Sequence, residues 1–271
     1  MELSGKQLDT RQPWWADYLP LLAQIDGARI TDCERLNTLL PPGLQSGSGQ
    51  AIRFVPSDEL GDAGYEYRIY TTGRVSTRAD SWHDLFNALV WMRFPRIKLA
   101  MNALHYRAWD EQRDGRRGKV RDALTLFDEC GVMVVSTSKD NLQALAQRRW
   151  KDAFLSDDFS TSTNVLVCGH AMLEKFLAPY KSMTAKALLL HVNEDTMQLP
   201  RGKLLARVDA FVAEEMLAGT LLTAPSGLSP LPLAGVPKWW PCESQDELFF
   251  DDQQVFRPPP ADLEPVQILE L

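Results

Sequence analysis

The feature that most constrains the fold is Pro95, which stands between two runs of helical apolar spacing in residues 81–109, SWHDLFNALVWMRFPRIKLAMNALHYRAW. With Ser81 as N-cap, Trp82, Leu85, Phe86, Leu89 and Val90 fall at i, i+3, i+4, i+7 and i+8, the stripe of a core-facing helix. Proline cannot continue that helix without losing a hydrogen bond and clashing with the preceding turn, but its fixed φ suits the first turn of a new one. The segment therefore reads as two helices with a sharp bend. On the second, Ile97, Met101, Leu104 and Ala108 form the apolar face, while Lys98, Asn102, His105 and Trp109 share another. His83 and Asn87 flank the stripe of the first, so two polar rows meet near the bend.

Around this pair the chain alternates helical and extended patterns. A short helix is expected in residues 14–25, and Thr31 with Glu34 makes a capping box for a second. GLQSGSGQ, residues 43–50, is a loop by composition. AIRFV and YEYRIY read as strands, the latter turning back at Gly73 into VSTR, from which Arg78 leaves just before the central helix. After a charged loop holding Arg113, Arg116, Arg117, Lys119 and Arg121, ALTLF and VMVVS read as a hairpin joined through DECG. Ser138 suits the cap of a helix through Phe154, VLVC a buried strand, GHAMLEKFLAP a helix and KLLARVDAFVAEEMLAG a longer one ending at Gly219. ALLLHV is a strand by the same reading, although its leucines also suit a helix.

Prolines concentrate after Ala224, which predicts an extended C-terminal arm anchored by Trp239, Trp240 and Phe256 across the first half of the chain. The expected class is α+β: helices packed on a small, mainly antiparallel sheet, with that proline-rich arm. A single domain over residues 1–271 is expected, comprising an N-terminal helical segment (1–50), a core (51–224) and the arm (225–271).

A net charge of −7 and a pI near 5.2 disfavour unspecific binding to nucleic acid or to an anionic membrane. Four widely spaced cysteines without a CxxC favour reduced thiols over a zinc ribbon or disulfide framework. No run approaches the roughly 18 apolar residues of a membrane span, and residues 1–15 have no apolar signal core, so the expectation is a cytoplasmic protein.

The candidate chemistry lies in two helical pairs. His83 with Asn87 and His170 with Glu174 each stand at i, i+4, so both members face one way and the two helices can complete one site. Imidazole and carboxylate suit zinc, manganese or iron, which makes His83, His170 and Glu174 the expected ligands of a divalent transition metal. Asp84, Asp128 and Glu129 are the candidate general acids or bases. Asn87, His105, Arg78 and Asn102 are placed at the edge of the pocket. The structural alternative is that the histidines cap helices or bond to backbone, and that Asp128 and Glu129 are turn residues. GxxxxGK[ST], GxGxxG and GxSxG are all absent.

Four stretches in this order, WHDLFNALVWMRFPRIKLAMNALH, RDALTLFDECG, GHAMLEK and PLAGVPKWWP with DDQQVFRP, are similar to an uncharacterised family of bacterial proteins defined as a domain of unknown function. The resemblance covers about Tyr65 to Pro258, with Lys238 where the family pattern has glycine. It implies that WHDLFN and GHAMLEK define the family together, as members of one site would, and supplies no activity. Two readings follow: a metal-dependent hydrolase-like enzyme, or a non-enzymatic binding or scaffold protein with a buried polar network that contacts a protein partner. A phosphorylated small-molecule ligand held by Arg78, Lys98, Arg116 and Arg117 is a further alternative.

Overall fold

In the computed structural model, which describes residues 2–3, 6–25, 30–57, 64–111, 118–240, 245–264 and 266–271, the chain opens with β1 (Glu2–Leu3), β2 (Lys6–Gln7), α1 (Leu19–Leu22) and α2 (Cys33–Leu39). Next come β3 (Arg53–Pro56), α3 (Tyr65–Thr72), β4 (Arg74–Thr77), α4 (Trp82–Arg93), α5 (Pro95–Glu111) and α6 (Lys119–Cys130). It continues through β5 (Gly131–Ser136), α7 (Lys139–Ala146), α8 (Trp150–Phe154), α9 (Phe159–Ser162), β6 (Thr163–Val167) and α10 (His170–Lys175). The last elements are β7 (Thr184–His191), α11 (Glu194–Met197), α12 (Arg201–Leu217), β8 (Ser229–Pro232) and β9 (Ile268–Glu270). Two units result, Met1–Thr125 with Leu205–Ala224, and Leu126–Leu204 with Pro225–Leu271.

The first unit is built on the bent pair. Ser81 Oγ accepts the amide of Asp84 at 3.2 Å to start α4, and Pro95 opens α5 directly after the C-cap Phe94. All residues of α4 from Leu85 to Met92 are buried, with Phe86 stacked on Trp15 at 5.5 Å and tilted against Trp82 at 5.7 Å. The second polar row does not face solvent: Lys98, Asn102 and His105 are as buried as the apolar row beside them. Asp209 of α12 reaches the first turn of α5 and accepts the amides of Arg96 and Ile97 at 3.1 and 2.9 Å. A remote carboxylate thus satisfies two of the donors that a helix start leaves over.

Two local expectations are corrected here. Tyr65–Thr72 is helix rather than strand, bracketed by Gly64 and by Gly73 at φ 71°. Tyr67 and Tyr70, three residues apart, both stack on Tyr106 of α5, so helical spacing outranks the tyrosine alternation. β4 then lies parallel to β3 instead of closing a hairpin. At the start of α2 the N-cap is Asp32, which accepts the amides of Glu34 and Arg35, while Thr31 donates to the Arg78 carbonyl at 2.6 Å.

The second unit holds a five-stranded sheet ordered β6-β5-β7-β8, with β9 also on β7. β8 pairs with Thr184–Ala187 and β9 with Leu189–His191, so the two share one edge of β7. The α+β class holds. Pairings divide evenly between antiparallel and parallel among the described strands, because the expected 123–137 hairpin does not exist. ALTLF belongs to α6, where Ala123, Leu124 and Phe127 are buried at helical spacing, and Gly131 begins β5 without any turn between. The helix from Ser138 ends early: Arg148 at φ 55° separates α7 from α8.

The arm is ordered within this second unit. Trp239 meets Phe176 edge to face at 5.8 Å, Phe250 stacks on Phe154 at 5.7 Å, and Trp150 Nε1 donates to the Arg257 carbonyl at 2.8 Å. These anchoring contacts are made on elements of the chain's second half, and Trp240 is only half-buried. Lys238 takes φ 69°, so a left-handed turn is kept there with a side chain in place of glycine. Among the described residues Cys33, Cys130 and Cys168 are in no disulfide, and no helix is long and apolar enough to cross a membrane.

Candidate functional site

The glycines at 131 and 169 bring the second unit's chemistry together. A Cβ on Gly131 would lie 2.2 Å from the Phe127 carbonyl oxygen, and one on Gly169 would lie 2.4 Å from the Gly131 nitrogen. Without side chains, the amides of Cys168 and Gly169 both reach the Gly131 carbonyl, at 3.0 and 2.8 Å. The last turn of α6 therefore abuts the first turn of α10. Asp128 and Glu129 sit on the former and His170 is the first residue of the latter.

The His170 ring is buried, with each of its nitrogens facing a carboxylate. Nδ1 is 3.7 Å from Asp128 Oδ2 and Nε2 is 3.9 Å from Glu129 Oε1. Both separations exceed a hydrogen bond and lie within ion-pair range. They also fit a carboxylate–imidazole–metal arrangement, in which one ring nitrogen binds the ion and the other is oriented by a second acid. Two ligands with bonds of about 2.1 Å at a tetrahedral ion are about 3.4 Å apart, so Nε2 and Glu129 Oε1 need close by only a few tenths of an ångström. Asp128 is largely buried and Glu129 about two-fifths exposed, which suits Asp128 to orientation and leaves Glu129 accessible. Glu174 follows His170 by one turn and is half-buried.

In the first unit the expected site residues are engaged in structure. Asp84, in the first turn of α4, receives the Arg78 amide at 2.6 Å and the Arg78 guanidinium at 3.0 and 2.8 Å. Burial pushes the Asp84 carboxyl up, but those hydrogen bonds and the charges of Arg78 and His83 outweigh it and hold it below its ordinary value. His83 precedes it, half-buried. Asn87 links two neighbours: its Oδ1 accepts from Lys98 Nζ and its Nδ2 donates to the Tyr65 hydroxyl, both at 2.9 Å. Asn102 Nδ2 donates to the Glu66 carbonyl and carboxylate at 2.9 and 2.7 Å, and His105 is buried on the same helix. Arg113, Arg116 and Arg117 lie outside the described residues.

Two residues carry weight that the sequence reading did not assign them. Asp209 occupies a position within the apolar stripe Leu205, Val208, Val212, Met216, and a carboxylate in such a stripe is itself the signal of a buried acceptor role. Desolvation pushes its carboxyl up to about 6 against the two amides and the Arg96 charge that favour ionisation. Glu66 was hidden by the strand reading of its segment.

Residues 52–259 match the model of a family described as "Protein of unknown function (DUF3025)". No curated protein and no solved structure matches the chain.

Proposed function

The chain belongs to the DUF3025 family, whose description carries no activity, and from the site itself we propose that it binds one divalent transition metal through His170 and Glu129. The observation that carries this reading is the buried His170 ring held between Glu129 on one nitrogen and Asp128 on the other. His83, expected as a ligand from the WHDLFN motif, belongs to the first unit, whereas Glu129 and His170 both belong to the second. A coordination position left to water would raise that water's acidity, as a hydrolytic enzyme requires. Asp128 then orients the imidazole, and Asp84 is a structural acid because Arg78 already occupies both of its oxygens.

Metal analysis tests the reading directly. Protein purified without chelator should carry about one equivalent of zinc, manganese or iron, and His170→Ala and Glu129→Gln should each lose it while retaining their circular dichroism. Metal retained in His170→Ala would refute the ligand set. A metal-loaded protein inert toward a panel of ester, amide and phosphoester substrates would reduce the reading to metal binding.

A further inference from the structure

The end of the five-stranded sheet opposite Gly131 is bordered by its shortest strand. β9 runs parallel to β7, with Ile268 opposite Leu189, Leu269 opposite Leu190 and Glu270 opposite His191, and the Leu271 amide donates to the His191 carbonyl at 2.9 Å. Glu270 holds two neighbours at once. Its Oε2 lies 2.6 Å from His191 Nδ1, and its Oε1 lies 2.8 Å from Nζ of Lys139, the first residue of α7. The strand is reached through residues 257–264, which include Pro258, Pro259 and Pro260, form neither helix nor strand, and are exposed apart from half-buried Leu263.

What holds β9 is small beside what holds the strands within. All six residues of β5 are buried, and it is paired on both sides, by β6 and β7. Among the described strands β9 is paired with β7 alone, over three residues, and only its Leu269 is buried. A local opening costs what it gives up in apolar burial and backbone pairing, so a three-residue edge strand parts from the sheet far more easily than the sheet itself unfolds. The remaining hold is electrostatic. Glu270 and Lys139 are each more than half exposed and His191 is one-fifth exposed, so these contacts are modest and are screened by salt.

We propose that β9 is a releasable strap, clasped shut by Glu270 on Lys139 and His191, which opens while the rest of the second unit stays folded. Opening uncovers the outer edge of Leu189–His191 together with His191 Nδ1. That edge lies at the carboxyl ends of parallel β5 and β7, the end at which open α/β sheets generally receive ligands. The gate is the charge on Glu270. The groups that face it are Lys139 of α7 and His191 of β7; their hydrogen bonds, that of Lys139 first, hold its carboxyl below the ordinary value against desolvation. A value lowered in the closed state means that the clasp is fully present above the ordinary glutamate range and is lost as pH falls through the closed-state value.

The test is hydrogen exchange on the full chain near neutral pH, read by mass spectrometry and corrected for intrinsic rates, comparing residues 266–271 with residues 131–136 of β5. The strap should exchange about tenfold faster or more, as a separately opening segment does. Raising salt from about 0.01 to about 1 M, which shortens the screening length from roughly 30 to roughly 3 Å, should speed the strap further and leave 131–136 unchanged. Glu270→Gln keeps the shape and an acceptor oxygen but removes the charge. At low salt it should speed strap exchange about two- to fivefold, the range of an exposed ion pair, and it should abolish the salt effect. Lys139→Met should move the strap in the same direction. A strap that exchanges no faster than 131–136, a wild-type strap indifferent to salt, or a Glu270→Gln variant that speeds both segments alike would each overturn the proposal.

Discussion

Replacing Asp209 with asparagine should remove the part of the pH-dependent stability that this carboxyl contributes. The carboxylate is buried, and its two hydrogen bonds go to the amides of Arg96 and Ile97 at the start of α5. Desolvation is the dominant influence and raises the folded-state value to about 6, from an ordinary 3.8. A raised folded value means the native protein holds the proton more tightly than the unfolded chain. The associated stability is therefore complete below the unfolded value and is lost as pH rises through the folded one. A difference of about 2 pH units at 1.36 kcal/mol each gives a loss of about 3 kcal/mol, most of it between pH 4 and 7. Asparagine is isosteric, keeps one acceptor oxygen and does not titrate. Denaturant unfolding of both proteins from pH 4.5 to 8 should show the variant gaining on the wild type as pH rises. A stability difference independent of pH would refute the argument, and would mean that the two amides and the helix start hold the carboxylate ionised throughout.

Leu89 is fully buried in α4, so Leu89→Ala should cost about 2–5 kcal/mol in chemical denaturation; a change within error would show that the site collapses without a cavity. Gly169→Ala would set a Cβ 2.4 Å from the Gly131 nitrogen. It should lower Tm and, by parting α6 from α10, weaken metal binding more than His170's neighbour Ala171→Gly does; equal metal affinity in both would show that the glycine contact does not position the ring. Truncation after Ala224 strips β8 and β9 from β7 along with the partners of Phe154 and Phe176. Hydrophobic-dye fluorescence should rise, and an equally stable, dye-silent product would remove the arm from the structural account.

Legibility in the sequence followed the strength of local signals. The bend at Pro95, the Ser81 cap and the glycine stop at Gly219 are set by covalent and first-turn constraints that act within a few residues, and they appear as expected. YEYRIY fits a strand and a helix equally well by pattern, and only the docking of Tyr67 and Tyr70 on Tyr106 decides between them. The partners that bury Lys98 and Asn102 were not legible for a related reason. Their partners Asn87 and Glu66 come from other helices, and a polar residue on a helix reads as solvent-facing until its partner is known.

The misread segment DECG also builds the candidate site. As a hairpin turn it would have displayed Asp128 and Glu129 at a solvent rim, where acids commonly serve no chemistry. As the last turn of a helix that passes directly into β5, the same two residues project toward the start of α10, and the glycine that looked like turn chemistry is instead the contact that lets Gly169 and His170 approach. The residue types needed for acid and ligand roles were therefore readable from the sequence. Their juxtaposition was not, because it depends on a close backbone contact between residues 131 and 169, far apart in the chain.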